Sequence, residues 1–177
     1  DMDRLLQVEE ELVCHISRSL VEEAGKELKS VGRDIEDLKR VRPQFPRLTY
    51  DEAIKILQED GFKVHWGMMF SWEHERYLSL RFNKPFFILE FPIGIETHFY
   101  QTHPERQYVT LTVDLLAPEG YGELSSGGQP IIDKGEFLRR MREERLSPEE
   151  QRWYLDLKKL GSTPHFGFAL GVERLTQ

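Results

Sequence analysis

Apolar residues recur every three or four positions through the first segment of the chain, which is the period of an amphipathic helix. This spacing predicts a helix over residues 2–28, with Gly25 near its end. The charged stretch over residues 26–42 is typical of an exposed surface segment, and Pro43 and Pro46 interrupt the chain after it. The chain is therefore expected to begin with one long helix that presents a single apolar face.

Signals of helix start and stop predict further helices along the chain. Thr49 and Glu52 match a capping box, in which two side chains satisfy backbone N–H groups reciprocally, and the helix that they open ends at Gly61. A short helix is predicted over residues 73–80, within a segment that otherwise has the pattern of a loop. An aspartate precedes a third helix, which is predicted over residues 134–145.

A second capping box is predicted in the last third of the chain. Ser147 and Glu150 have its spacing, and Pro148 occupies the first helical position, where a missing N–H costs nothing. The helix is expected to end at Gly161. Its large apolar side chains are Trp153, Leu157 and Leu160.

Four segments have the patterns of strands. The apolar run over residues 85–92 suits a buried strand, and residues 108–117 alternate between an apolar and a polar face. A turn precedes an extended stretch over residues 121–125, and a last strand over residues 165–170 leads into a helix at Gly171. This order predicts an α+β fold, in which an antiparallel sheet is flanked by helices.

Length and composition bound the class of protein. The chain has 177 residues, 39% of them hydrophobic and 31% charged, which suits one globular domain over residues 1–177. A net charge of −7 argues against a broad surface for nucleic-acid phosphates. With one cysteine and no apolar stretch near the roughly 20 residues of a membrane span, we expect a cytoplasmic protein without a membrane partner. The last helix is very short before Gln177, so we expect a piece of a longer protein.

Two carboxylates, Asp114 and Glu123, lie symmetrically about the turn at Pro118 and Glu119. If the flanking strands pair about that centre, the two side chains lie directly opposite each other, with Cβ atoms about 5 Å apart. Two like charges at that distance repel, so the pair requires a cation between them or a shared proton. Mg²⁺ binds carboxylate oxygens and also takes substrate phosphates as ligands. The alternative is a looser turn with two separately hydrated carboxylates.

Glycines accompany two further candidate positions. The Ser-Ser-Gly-Gly stretch over residues 125–128 indicates either a backbone that approaches a ligand closely or a bulge at the strand end. Arg174 follows Glu173 at the start of the last helix and offers a planar cation suited to phosphate. The alternative is an ion pair on the helix surface. Gly167 and Gly171, which precede the arginine, would leave a flat surface for an aromatic base.

Several stretches together resemble a known family. The segments TVDLLAPEGYGELSSGGQ and WYLDLKKLGSTPHFGFALGVERL closely resemble class II aminoacyl-tRNA synthetases, and RLTYDEAIKILQEDG and EHERYL are also similar. The likeness is strongest to the asparaginyl/aspartyl subgroup, and within it to asparaginyl-tRNA synthetases and archaeal-type asparagine synthetase relatives. It runs from about Asp1 to Gln177. Its most specific part is the final block, which is similar to the third signature motif of the family.

The resemblance implies an asparaginyl-tRNA synthetase-like ligase, which activates asparagine or aspartate with ATP and transfers it from the adenylate to tRNA. The implied cofactors are ATP and Mg²⁺, and the implied partners are ATP, the small amino acid and tRNA. The positions that match the site of the family are Arg174 for catalysis and for the triphosphate; Gly167, Gly171 and Glu123 for ATP; Asp114 and Glu123 for the metal; and Tyr100, Ser126, Gly127 and Gly128 for the amino-acid pocket.

Three positions depart from the family pattern. Pro130 stands where the family usually has the arginine that reads the substrate side chain, and Ala169 replaces the middle glycine of the last motif. Glu96 lies where a basic residue is common. The sequence also lacks the first and second motifs and an anticodon-binding domain. We therefore expect the C-terminal part of a catalytic domain, inactive by itself and belonging to a protein that is a homodimer when full length.

Three functions follow from the resemblance. The first is the ligase, and the second is an asparagine synthetase-like enzyme that passes an aspartyl-adenylate to ammonia. The third is a non-catalytic protein that keeps the fold for binding or regulation. Pro130 and Ala169 favour the third, whereas Asp114, Glu123 and Arg174 oppose it, because a repelling carboxylate pair has little use without a cation. Pro130 leaves the choice between asparagine and aspartate open.

Overall fold

The computed structural model describes residues 1–95 and 99–176. The helices in these residues are α1 (Met2–Glu23), α2 (Gly25–Ser30), α3 (Ile35–Lys39), α4 (Tyr50–Glu59), α5 (Trp72–Ser79), α6 (Lys134–Glu143), α7 (Arg152–Lys159) and α8 (Val172–Leu175). The strands are β1 (Arg47–Thr49), β2 (Phe86–Leu89), β3 (Thr112–Ala117), β4 (Gly122–Gly128) and β5 (Gly167–Leu170). No helix in the described ranges combines the length and the apolar character that crossing a lipid bilayer requires.

The strands form one five-stranded sheet in the order β1-β2-β3-β4-β5. The predicted α+β class is confirmed, and the predicted strands pair with antiparallel neighbours. The sheet as a whole is mixed, because β1 pairs with β2 in parallel, with Arg47 opposite Phe87. A strand of three residues is too short to produce a periodic pattern, so the sequence did not predict β1.

Hydrophobic side chains cover both faces of the sheet. On one face, Leu6 and Val13 of α1 pack with Phe87, Val113 and Leu115. On the other face, α4 and α5 cover the alternate positions of the same strands, because successive side chains of a strand point to opposite sides. The buried members of that second cluster are Tyr50, Ala53, Ile54, Leu57, Val64, Leu78, Phe86, Ile88 and Leu116.

The helices that precede β2 follow the predicted signals with one difference. Thr49 and Glu52 form the complete capping box at the start of α4, and α5 begins close to the predicted residue 73. The long first helix ends at Glu23 rather than at residue 28, and Gly25 begins the separate helix α2. The helical period continues across this break, which is why the pattern of the sequence did not reveal it.

Helices α6 and α7 form a third, smaller cluster beyond the end of the sheet. Ile131, Phe137, Met141 and Leu155 are its buried members, and Phe99 and Tyr154 pack against them. Asp133 caps α6 as predicted, with its carboxylate accepting the Glu136 N–H at 2.6 Å.

The predicted capping box at Ser147 is wrong. Residues 148–151 form turns, and α7 begins at Arg152 after Gln151, which makes no side-chain capping bond. In addition, the side of α7 that is buried is not the side that carries its largest apolar residues. Leu155 and Lys158 are its buried residues, whereas the exposed fractions of Trp153, Leu157 and Leu160 are 62%, 54% and 86%.

Candidate active site

The hairpin of β3 and β4 carries the two predicted carboxylates, but its register differs from the predicted one. Asp114 pairs with Ser126, and Glu123 pairs with Leu116, so the prediction that the carboxylates lie directly opposite each other is wrong. The register shifts because Leu124 is an extra residue on β4 without a partner on β3. Such a β-bulge leaves no periodic signal in a sequence.

The bulge brings Glu123 to the same face of the sheet as Asp114. Side chains alternate along a regular strand, so Glu123 and Ser126, three positions apart, would otherwise point to opposite faces. Here Leu124 packs into the core beneath α1, and Ser125 donates a hydrogen bond to Glu9 of α1. Two consecutive residues thus face α1, and Glu123 and Ser126 both face the opposite side, which we call the cavity face.

A cavity of about 370 Å³ lies on the cavity face. Its polar lining residues are Glu75, Tyr100, Thr112, Asp114, Glu123 and Ser126. The remaining described lining residues are apolar, with Phe70, Phe91 and Phe99 among them, and none of the described ones is lysine, arginine or histidine. The cavity therefore combines a carboxylate-rich floor with an aromatic and aliphatic wall.

The carboxyl groups of the floor are difficult to ionise without a cation nearby. Burial raises the pKa of Asp114 well above its usual value, and the neighbouring Glu123 raises it further. Hydrogen bonding with the Ser126 side chain opposes these effects only in part. Burial and the Asp114 charge also raise the pKa of the Tyr100 hydroxyl. A bound cation would remove the cost of ionising both carboxylates, so the donor set fits a hard divalent metal such as Mg²⁺.

Glu75 is a third acidic residue of the floor, and the sequence did not indicate it. Its Oε2 accepts a hydrogen bond from the Glu123 backbone N–H at 3.3 Å. Burial raises the pKa of Glu75, the Glu123 charge also raises it, and the Arg174 charge lowers it. Glu75 lies on α5, far from the hairpin in sequence, so only the fold brings it to Glu123. In the described residues, no three His, Cys, Asp or Glu side chains form a complete metal-binding group.

The predicted pocket residues divide between the two faces of β4. Tyr100 and Ser126 line the cavity, and Tyr100 also forms a β-bridge with Pro130. A Cβ atom at Gly128 would lie 2.3 Å from the Leu111 carbonyl oxygen and 2.8 Å from a ring carbon of Tyr100, so this glycine allows both to approach the strand. Gly127 does not line the cavity, and a Cβ atom there would lie 2.5 Å from the carbonyl oxygen of Gly167 on β5. Pro130 is not among the lining residues.

Strand β5 extends the cavity face with an uncovered surface. Gly167 and Ala169 pair with Gly128 and Ser126, so both lie on the cavity face, and both are exposed. A Cβ atom at Gly167 would meet no heavy atom within 4 Å, which leaves room above the strand for a flat group.

Arg174 follows β5 on the short helix α8 and is exposed. It forms no salt bridge with Glu173 or with any other residue that the structure describes. The Gly171 N–H, at the start of α8, donates to the Leu124 carbonyl at 2.9 Å, which attaches the helix to the bulge. The bulged residue Leu124 thus lies between Glu123 and the helix that carries Arg174, so the relative position of these two side chains depends on the bulge. Glu96, the third departure from the family pattern, lies outside the described residues.

Known proteins resemble the chain along its whole length. The family model "tRNA synthetases class II (D, K and N)" matches residues 1–177. The asparagine–tRNA ligase of Pyrococcus abyssi is 41% identical over 175 residues, which are 99% of this chain and 40% of the relative. The chain thus spans about two fifths of the length of the curated relatives that it matches.

Two solved structures have the same fold. The asparaginyl-tRNA synthetase of Pyrococcus horikoshii complexed with asparaginyl-adenylate is 42% identical with a TM-score of 0.92, over 99% of this chain and 40% of that one. The Entamoeba histolytica enzyme in complex with asparaginyl-adenylate is 28% identical with a TM-score of 0.85, over 99% of this chain and 40% of that one. With a family model that covers every residue, the chain belongs to the class II tRNA synthetases (D, K and N).

Proposed function

We propose that this chain supplies the metal and triphosphate half of the active site of an asparagine–tRNA ligase. The observation that carries the proposal is the convergence of Asp114 and Glu123 beside an uncovered strand that leads to an exposed arginine. Relatives about 41–43% identical are asparagine–tRNA ligases, which supports the same reaction here.

In the proposed reaction, the carboxylate of asparagine attacks the α-phosphorus of ATP. The bond to the leaving pyrophosphate breaks, and asparaginyl-adenylate forms. A hydroxyl at the tRNA 3′ end then attacks the activated carbonyl and releases AMP. Neither step needs a covalent enzyme nucleophile. The rate acceleration therefore comes from positioning of the reactants and from compensation of the phosphate charge.

The residues of this chain have separate parts in that reaction. Asp114 and Glu123 would hold Mg²⁺, which compensates the negative charge of the phosphates. The guanidinium of Arg174 would bind the triphosphate with its planar set of donors. Gly167 would leave space for the nucleotide above β5, because a Cβ atom there would meet no heavy atom within 4 Å, whereas Ala169 adds a methyl group to the same face.

The lining of the cavity favours asparagine over aspartate. The described lining residues include three carboxylic acids and no basic residue, so none of these side chains can form an ion pair with a second carboxylate on the substrate. A neutral amide needs no such partner and can hydrogen-bond with the hydroxyl groups of Ser126 and Tyr100. The same reasoning disfavours an asparagine synthetase-like enzyme, because that enzyme would have to activate aspartate.

Further properties belong to the full-length protein. Its proposed partners are tRNA and a second copy of itself, and its proposed location is the cytoplasm. The names of the relatives support the role of tRNA. Likeness to the third motif of the family supports the view that residues 1–177 are the C-terminal part of a catalytic domain.

Isothermal titration with ATP, in the presence and absence of Mg²⁺, tests the metal and triphosphate site. We expect binding that depends on Mg²⁺ and that weakens about tenfold or more in Arg174→Ala, which is a loss of about 1.4 kcal/mol or more. Arg152→Ala is the matched control, because Arg152 is also exposed at a short helix but lies on α7. Equal binding by both variants would contradict the assignment of Arg174.

Amino-acid specificity is tested on the full-length protein by exchange of pyrophosphate into ATP. We expect exchange that depends on asparagine and is much weaker with aspartate. Exchange that prefers aspartate would contradict the argument from the acidic lining. Absence of exchange with either amino acid, together with intact binding of Mg²⁺ and ATP, would favour a non-catalytic protein.

A further inference from the structure

Glu75 reaches the candidate metal site from outside the hairpin that forms it. It lies on α5, and its carboxylate oxygen Oε2 accepts the backbone N–H of Glu123 at 3.3 Å. Glu123 stands next to the bulged residue Leu124. A bulge locally disrupts the ladder of backbone hydrogen bonds, so its conformation depends on partners from elsewhere in the fold.

The backbone before Glu123 is shaped to accept this contact. Gly122 has φ +77°, a left-handed conformation that favours glycine. A Cβ atom at Gly122 would also lie only 3.0 Å from Oε2 of Glu75. The glycine therefore allows the carboxylate to come close to the strand, directly before the residue whose side chain faces the cavity.

We propose that Glu75 is a positioning residue of the metal site, which holds the Glu123 backbone so that the Glu123 carboxylate points toward Asp114. This inference rests on the proposed function, because it assumes that Asp114 and Glu123 bind a divalent metal with ATP. Glu75 acts through the Glu123 N–H, and its role requires a hydrogen-bond acceptor at the right reach rather than a negative charge.

Two conservative substitutions of Glu75 distinguish the effect of side-chain length from the effect of charge. Glu75→Gln keeps the length of the side chain and a carbonyl oxygen that can accept the Glu123 N–H, but it removes the charge. Glu75→Asp keeps the charge but withdraws the acceptor by one methylene group. Glu73→Gln is the control, because Glu73 lies on the same helix and is exposed.

The experiment titrates Mn²⁺, as a spectroscopic substitute for Mg²⁺, into the full-length protein with saturating ATP and follows the free metal by electron paramagnetic resonance. Loss of a partner that orients a metal ligand typically weakens metal binding by 10–100-fold, so we expect about a tenfold loss or more in Glu75→Asp. We expect Glu75→Gln and Glu73→Gln to remain within about threefold of the wild type. The circular dichroism spectrum should be the same in all variants, whereas a general structural defect would change it.

Other outcomes would overturn the proposal in distinguishable ways. If Glu75→Asp binds as the wild type does while Glu75→Gln is impaired, the charge of Glu75 matters and its reach does not. If neither variant is impaired, Glu75 has no part in the metal site. If the wild type itself binds no metal with ATP, the proposed function fails, and the role of Glu75 fails with it.

Discussion

At the scale of single residues, Glu9 is a buried carboxylic acid on the side of the sheet opposite the cavity. Only 1% of its surface is exposed, and its Oε1 accepts a hydrogen bond from Ser125 Oγ at 2.5 Å. Its Oε2 has no hydrogen-bond partner in the described part of the chain. Burial raises the pKa of Glu9 from 4.5 to about 7, although the Ser125 hydrogen bond lowers it. The folded protein therefore binds the proton of the Glu9 carboxyl group more tightly than the unfolded chain does.

This proton gives a predicted dependence of stability on pH. A carboxylic acid with a raised folded-state pKa contributes stability that is fully present below its unfolded pKa and is lost as the pH rises through the folded value. For Glu9 the loss extends from about pH 4.5 to beyond pH 7 and amounts to about 3 kcal/mol at ~1.4 kcal/mol per unit. The side chain of Glu9→Gln cannot titrate. As the pH rises over this range, the free energy of unfolding of the variant should therefore increase relative to that of the wild type.

Urea unfolding between about pH 5 and about pH 8 measures this difference. Any constant cost of burying the amide shifts the Glu9→Gln curve without changing its slope, so the slope is the diagnostic quantity. Glu11→Gln is the control, since Glu11 is exposed on the same helix. Parallel curves for the wild type and Glu9→Gln would show that Glu9 does not bind a proton selectively in the folded state.

The site residues differ in how far the sequence could predict them. Asp114, Glu123 and Arg174 are candidates that the sequence indicated through residue type and the family motif, although the turn signal gave the wrong register for the two carboxylates. Glu75 and Glu9 were not found, although they contact the same hairpin strand from two different helices. A lone glutamate in a charged helix usually faces solvent, and only long-range packing distinguishes these two from their exposed neighbours.

At the scale of secondary-structure elements, the pairing of β4 with β5 depends on a glycine of β4. A Cβ atom at Gly127 would lie 2.5 Å from the Gly167 carbonyl oxygen and 2.9 Å from Phe168 Cα. Both of these are backbone atoms of β5, so Gly127→Ala can be accommodated only if the strands separate. We expect a destabilisation of about 2 kcal/mol, in the range of other overpacked sites.

Gly167→Ala is the matched control, because it adds the same methyl group to the neighbouring strand. The space above Gly167 is open, so its free energy of unfolding should change by about 0.5 kcal/mol or less. Chemical unfolding of both variants, with hydrogen exchange of the β5 amides, measures the two effects. Equal destabilisation by the two substitutions would contradict the close approach of β4 to β5.

The elements themselves show why some predictions succeeded. Thr49 and Glu52 form their capping box because both partners are close in sequence. Ser147 and Glu150 have the same spacing, but residues 148–151 form turns and the helix begins at Arg152. Most helical stability comes from tertiary packing, which a local motif does not encode.

At the largest scale, α6 and α7 have a small hydrophobic cluster of their own beside the sheet. The third hydrophobic cluster shares no buried member with the two clusters that cover the sheet. Its links to the rest include Phe99, which stacks on Phe137 with ring centroids 5.6 Å apart, and hydrogen bonds from Gln101 to Glu136 and from Arg140 to Thr102. Phe99 also lines the cavity. The α6–α7 unit therefore supports one wall of the candidate amino-acid pocket.

A unit with its own small core should open at a lower free energy than the sheet. We expect native-state hydrogen exchange to show weaker protection in α6 and α7 than in β2 to β4. Leu155→Ala, which removes a buried side chain of the third cluster, should lower the opening free energy of α6 and α7 by about 2–4 kcal/mol and leave β2 to β4 unchanged. Leu57→Ala, in the core beneath α4, should instead accelerate exchange throughout the protein. If Leu155→Ala accelerates exchange in the sheet equally, the chain unfolds as one cooperative unit, and the pocket wall cannot open by itself.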